Sequence, residues 1–296
     1  MSDKKITGRI HSLRAGTYTV VRDEGAGEAL QCRACGRFRL EGLTPLVGDL
    51  VRAEDLGGGE GFVTEILPRR NALKRPPLAN LDQLFLLSSV AQPAPNLRLL
   101  DMLIAQAELL GIEPVILFTK CDLAEPGAVE ALLENYRAFN CLALLPESDI
   151  GPIRALLADR VSGFCGNTGV GKTTLLNRLA PALALPTGEI SQKLGRGRHT
   201  TRHVELFSAA GGWVADTPGF GVLEPDGQEG LTKDNLFHCF REFAPYAGQC
   251  RFADCAHIKD KGCAVLRAVA AGETPQSRWE SYAALYEALK NKKDWE

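Results

Sequence analysis

The sequence predicts a multidomain α/β protein in three parts: an N-terminal β-barrel, a central sheet with helices on both faces, and a helical C-terminal module. Three observations predict it. Short β-runs separated by glycine-rich turns fill the first 70 residues; apolar runs then alternate with helical patterns around a glycine-rich loop; and beyond Gly221 only helical periodicity remains, broken by a cysteine-rich loop.

The β-runs are Ile6 to Ser12, Thr17 to Val21, Ala29 to Leu40 with a bend, Gly48 to Ala53, and Gly61 to Ile66. Five strands of this size fit an oligonucleotide-binding (OB-like) barrel, and also suit other small barrels. The paired prolines of Asn71 to Asn80 exclude a regular helix or central strand and mark a linker. Leu84 to Val90, Val115 to Phe118, Cys141 to Leu145 and Val161 to Cys165 are apolar without alternation, as strands buried on both faces of a parallel sheet must be. A helical pattern spans Leu97 to Leu110, and a helix starts near Lys172. Further helices are expected over Thr232 to Phe243, Ala264 to Ala271 and Gln276 to Lys290. The expected boundaries are 1–70 for the barrel, 71–80 for the linker, 81–225 for the nucleotide domain and 226–296 for the helical module.

Composition excludes several classes. With 45% hydrophobic and 24% charged residues the chain is neither disordered nor fibrous. No apolar run approaches the roughly 18 residues of a membrane helix, and the start lacks a secretory signal, so no membrane partner and a cytoplasmic location are expected. An odd count of nine cysteines in a reducing compartment suits metal ligands or buried thiols better than disulfides. The net charge of −2 averages over the chain and leaves local basic stripes free to meet phosphate.

Gly166-Asn-Thr-Gly-Val-Gly-Lys-Thr173 matches G-x-x-x-x-G-K-[ST] between an apolar strand and an apolar-periodic helix. Its glycines let backbone N–H groups turn inward on a β-phosphate, with the helix dipole behind them. Gly166, Asn167, Thr168, Gly169, Val170, Gly171, Lys172, Thr173 and Thr174 are the expected phosphate-binding residues. Lys172 would neutralise β- and γ-oxygens, and Thr173 would offer its hydroxyl to Mg²⁺. Downstream, the strand Trp213 to Asp216 ends in Asp-x-x-Gly: Asp216 can hold Mg²⁺ through water, and Gly219 can present its N–H to a γ-phosphate. Between them Gly195-Arg-Gly-Arg-His-Thr-Thr-Arg-His203 is basic and glycine-rich, and Thr200 or Thr201 could ligate Mg²⁺ only with a γ-phosphate present. The plainer reading of that loop is a solvated basic segment.

Thr119-Lys120-Cys121-Asp122 closes the strand that begins at Val115. A carboxylate at Asp122 can accept from both N1–H and N2–H₂ of guanine, donors that adenine lacks in that arrangement. Lys120 would lie along the base plane, with Thr119 beside it. Cys250-x₄-Cys255-x-His257-x₅-Cys263 places three thiols and one imidazole in a short loop, a set suited to closed, structural Zn²⁺. Cys32 and Cys35 have no second ligand pair nearby.

The order base motif, phosphate loop, switch, Asp-x-x-Gly is a circular permutation of the usual GTPase order. With the Cys/His cluster it resembles the ribosome small-subunit-dependent GTPase A family over nearly the full length. The resemblance implies a protein that binds GTP and GDP, docks on the small (30S) ribosomal subunit and its rRNA late in assembly, and hydrolyses GTP when bound. The family usually has Asn where Thr119 stands, which leaves guanine selectivity resting on Asp122. The loop backing guanine O6 is best matched by Pro146 to Asp149 around Ser148. Phe220 follows Gly219 where Ras-like enzymes carry a water-orienting glutamine, so slow basal turnover is expected. Resemblance and sequence nominate His199, with Lys172, as catalytic; contact with RNA or phosphate is the other reading of His199. Arg33, Arg37 and Arg39, the basic switch, and Lys259 with Lys261 are the surfaces on which RNA phosphate could bind. A monomer is expected. Two alternatives are a non-catalytic GTP-responsive RNA-binding protein, favoured by Phe220, and a stand-alone P-loop NTPase using ATP, disfavoured by Asp122.

Overall fold

A computed structural model of the chain describes residues 4–22, 29–74, 76–181, 204–216 and 230–291, with Arg39 and Asp216 described by their backbone alone. In chain order its elements begin with β1 (Lys4–Arg14), β2 (Thr17–Arg22), β3 (Leu30–Ala34), α1 (Arg37–Leu40), β4 (Leu50–Gly57), β5 (Glu60–Ile66), β6 (Ala72–Leu73) and β7 (Leu78–Ala79). There follow β8 (Gln83–Ser89), α2 (Leu97–Leu109), β9 (Glu113–Thr119), α3 (Ala128–Asn135), β10 (Asn140–Ala143), α4 (Gly151–Leu157) and β11 (Val161–Gly166). The last are α5 (Lys172–Leu179), β12 (Glu205–Ala209), β13 (Gly212–Asp216), α6 (Ala264–Ala270) and α7 (Gln276–Lys290). The chain divides into two units: Met1–Leu84, Asp149–Cys165 and Lys172–Val222 form the first, and Phe85–Ser148, Gly166–Gly171 and Leu223–Glu296 the second.

In the first unit β1 to β5 close into a five-stranded barrel of order β1-β2-β3-β5-β4, with β4 returning to β1 from Lys4↔Asp55 to Arg9↔Leu50. The parallel β3–β5 pair and the helical turn before β4 give the OB-like topology. Inward positions Ile10, Val20, Cys32, Val51, Ala53 and Val63 are sealed from solvent, as period-two alternation requires. The bend expected within Ala29 to Leu40 is instead a strand end followed by α1. Phe38 N–H donates to Cys35 O and Phe38 is buried, so the chain turns out of the strand into one helical turn that still packs this ring in the core.

Past a register shift between Ile10 and Ser12, β1 meets β12 at Ser12↔Glu205. The hairpin β12–β13 turns through Ala210 and Gly211, both at positive φ, and β13 runs parallel to β11. Within the segment expected as a linker, the described residues make long-range hydrogen bonds. Asn71 exchanges two hydrogen bonds with the Leu81 backbone, Asn80 Nδ2 donates to Gly48 O, and β6 pairs with β7 between them.

The second unit carries the strand order β10-β9-β8, with β10 parallel to β9 in the register Asn140↔Val115 to Ala143↔Phe118. α2, N-capped by Asn96 Oδ1 accepting from Leu99 N, makes the crossover from β8 to β9. The helix expected over Thr232 to Phe243 is two 3₁₀ segments, Leu236–Cys239 and Arg241–Tyr246. Thr232 and Asn235 exchange side-chain–backbone hydrogen bonds that compete with a regular helix, Phe240 leaves helical space at ψ 86°, and Pro245 lacks a donor. α6 and α7 follow within one or two residues of expectation. A closed barrel, a sheet with helical crossovers and a helical C-terminal segment thus give the expected fold class.

Candidate nucleotide site and metal cluster

β11 is buried at every residue and feeds directly into the phosphate-loop motif. Gly166 has no room for a side chain: a Cβ would stand 2.7 Å from Leu87 O and 3.0 Å from both Leu87 Cβ and Val170 Cγ2. Gly169 and Gly171 adopt φ of +83° and +94°, left-handed conformations that turn the loop at little cost only for glycine. Val170 is buried while Thr168 and Gly169 are exposed, and Val170 N–H donates to Asn167 O at 3.4 Å. α5 opens at Lys172; Lys172 and Thr173 are half-buried, Thr174 is exposed, and Leu175, Leu176 and Leu179 face inward.

The base motif lies where β9 ends. Thr119 is buried and its Oγ1 donates to Val170 O at 2.6 Å, across 51 residues of sequence. The base motif and the phosphate loop therefore meet, although their sequence order is inverted. Lys120 takes φ +56°, which turns the chain out of the strand into a 3₁₀ turn at Cys121–Leu123, and its Nζ donates to Gln92 O. Asp122 is exposed, and among the described residues its carboxylate makes no hydrogen bond or ion pair. Leu144 N donates to Phe118 O at 2.7 Å and Cys121 N to Leu144 O, which draws the 144–148 segment beside the motif. Ser148 Oγ accepts from Leu145 N at 2.8 Å. Burial raises the thiol of Cys121 and pushes Cys141 up to about 12, so both serve as packing groups. A cavity of about 30 Å³ beside the loop, bordered by Ser89, Asn96 and Asn167, has the size of a water or two.

β13 pairs with β11 from Val161↔Trp213 to Gly163↔Ala215, so Asp216, the last residue of β13, lies beyond that pairing toward the C-terminal end of β11. His199, Thr200, Thr201, Gly219 and Phe220 lie outside the described residues. Of the basic barrel residues, Arg33 is exposed and Arg37 pairs with Glu41 at 3.2 Å. Sequence reading missed the carbonyl of Gln92 and the use of the Thr119 hydroxyl; a hydroxyl ending an apolar strand was the available signal for the second.

Cys250, Cys255, His257 and Cys263 come together with all four ligand atoms within 4.8 Å of one another, a cluster able to hold a metal ion. His257 sits at φ +61°, its carbonyl accepts from Trp279 Nε1 at 2.9 Å, and its ring stacks on Phe237. Cys263 N-caps α6 through Leu266 N–H, and Ala264 N–H points at Cys250 Sγ, both favourable to a thiolate. Burial pushes Cys255 up to about 12, raises Cys263 and lowers His257.

A family model described as RsgA GTPase matches residues 66–225, and one described as RsgA N-terminal domain matches residues 7–63. A small ribosomal subunit biogenesis GTPase RsgA of Caldanaerobacter subterraneus subsp. tengcongensis is 40% identical over 294 residues, 98% of this chain and 97% of its own length. The crystal structure of YloQ, described as a circularly permuted GTPase, has a TM-score of 0.82 at 33% identity and covers 98% of this chain and 96% of its own. That of YjeQ from Thermotoga maritima has a TM-score of 0.84 at 31% identity, covering 98% and 100%. Among the described residues no helix is long and apolar enough to cross a membrane.

Proposed function

The chain belongs to the RsgA GTPase family, and from that premise we propose that it binds the small (30S) ribosomal subunit and hydrolyses GTP to GDP and phosphate, stimulated by that subunit, during its late maturation. One observation carries the nucleotide site: the 2.6 Å hydrogen bond from Thr119 Oγ1 to Val170 O, which ties the base motif to the phosphate loop. In this reading Asp122 accepts from guanine N1–H and N2–H₂, Lys120 lies along the base, and Thr119 acts through the loop it holds. The N–H groups of residues 166–174 surround the phosphates, and Lys172 offsets the charge that builds on the β–γ bridging oxygen. Thr173, Asp216 and Thr200 or Thr201 would hold Mg²⁺, which supplies charge neutralisation when bound.

Hydrolysis forms a bond from a water oxygen to the γ-phosphorus and breaks the bond to the bridging oxygen. Phe220 cannot orient that water, so His199 is proposed to do so once the subunit docks. Gly219 would bind the γ-phosphate through its N–H. The cytoplasm as location, rRNA as a direct partner, a monomeric state, and domains at 1–70, 81–225 and 226–296 belong to the same proposal.

Zinc is proposed as the metal. A tetrahedral zinc ion with bonds of about 2.3 Å to sulfur and about 2.0 Å to nitrogen sets ligand edges of about 3.8 and 3.5 Å. Cys250 Sγ and Cys263 Sγ stand 3.9 Å apart, and each is 3.5 Å from His257 Nδ1. These donors would brace a loop too small to form its own core.

The test is phosphate release from GTP with and without purified small subunits. Slow basal turnover, strong stimulation, and its loss in His199→Ala with GTP binding intact are expected. Absence of stimulation would return the chain to a GTP-responsive binding protein, and competition by excess ATP would remove the role of Asp122.

A further inference from the structure

Among the described residues six large apolar side chains stand out in solvent, and five are leucines. The sixth is Phe252, 47% exposed, in the loop between Cys250 and Cys255. Exposed leucines are ordinary on a protein surface; this ring has a setting of its own. The Arg251 guanidinium lies over it, 5.5 Å from the ring centroid. The backbone on either side is braced: Arg251 N–H donates to Gly262 O at 3.2 Å, Ala256 N–H to Asp260 Oδ2 at 3.2 Å, and Tyr282 OH to Ala256 O at 3.1 Å. Arg251, Lys259 and Lys261 are exposed on the same loop, while the Asp260 carboxylate is turned inward to Ala256.

We propose that Phe252 and Arg251 form a platform on which an unpaired base of ribosomal RNA stacks. Single-stranded and bulged RNA is recognised by stacking bases on aromatic rings and guanidinium planes, with nearby cations pairing the backbone. An apolar pocket on a protein partner would instead have to desolvate the Arg251 guanidinium that lies over the ring, which opposes binding. The platform rests on the reading that the chain docks on the small subunit.

The full-length chain, loaded with a non-hydrolysable GTP analogue, is sedimented with purified small subunits. Phe252→Leu, which keeps apolar volume and loses the aromatic plane, should weaken binding by about fivefold or more, and Phe252→Trp should bind within about twofold of wild type. Metal content and thermal stability equal to wild type establish that the variants fold. Ultraviolet irradiation of the wild-type complex, which joins stacked rings to bases without a linker, should map a crosslink to rRNA at Phe252. Equal affinity of wild type and Phe252→Leu overturns the platform and leaves subunit binding standing, as does a Phe252 crosslink to a ribosomal protein. Failure of the wild-type chain to sediment with the subunit ends the parent reading and the platform with it.

Discussion

Thr119 carries one hydroxyl hydrogen, and it goes to the carbonyl of buried Val170. Thr119→Val keeps the shape and removes the donor, leaving that carbonyl unpaired at a cost of about 1–3 kcal/mol. If the phosphate loop depends on this latch, Thr119→Val should bind GTP and GDP about tenfold more weakly in a fluorescent-nucleotide titration, and Thr119→Ser should stay near wild type. Wild-type affinity in Thr119→Val would assign the bond to packing alone. The residue type at 119 and its position at a strand end were readable in the sequence. Its partner was not, because nothing local to 119 points to a loop 51 positions away.

At the scale of elements, α7 is fixed to α2 by a buried charge cluster. Arg278, 1% exposed, donates to Asp101 at 2.6 Å and to Glu242 at 2.5 Å, while Tyr136 OH donates to the same Asp101 oxygen at 2.7 Å. The guanidinium also lies over Phe240, 4.6 Å from the ring centroid. Burial opposes the charge on Arg278, and Asp101 and Glu242 outweigh it, so its pKa rises. Arg278→Met should lower stability by about 3–5 kcal/mol, since two carboxylates are left buried without a counter-charge. Urea unfolding reads the loss, and adding Asp101→Asn with Glu242→Gln should recover much of it; a single-variant loss below about 1 kcal/mol would count against the cluster. The length of α7 was legible from its periodicity, whereas its ion pair spans 177 residues and left no local trace. The 3₁₀ segments were missed for a related reason: Thr232, Asn235 and Pro245 act through side-chain geometry that apolar spacing does not record.

On the scale of the whole molecule, the legible features were those with local signatures. Uninterrupted apolar runs marked β8, β9 and β11, the glycine pattern marked the phosphate loop, and ligand spacing marked the metal cluster. Less legible were the strand β12, whose partner supplies its meaning, and the hydrogen bonds by which Asn71 and Asn80 reach other segments. The Cys/His cluster belongs to the same unit as β9 and Gly166–Gly171 of the phosphate loop. Nucleotide state is therefore expected to alter subunit affinity: GTP-analogue-loaded protein should sediment with small subunits more tightly than GDP-loaded protein. Equal affinity of the two forms would dissociate nucleotide state from docking.

Trp213 lies on β13, three residues before Asp216, with its ring 4.0 Å from that of His11, and Trp279 lies on α7 with its indole N–H on the carbonyl of His257. Each unit therefore holds its own intrinsic fluorophore, one on the strand that ends at Asp216 and one bonded to a residue of the Cys/His cluster. Burial, then Arg9, pushes His11 down to about 4, so its imidazole stays neutral at ordinary assay pH and does not titrate beside the emitter. With Trp279→Phe and Trp295→Phe, emission comes from the first unit alone; with Trp213→Phe and Trp295→Phe, it comes from the second. Nucleotide loading and chelation can then be followed by colour in the unlabelled chain, one unit at a time.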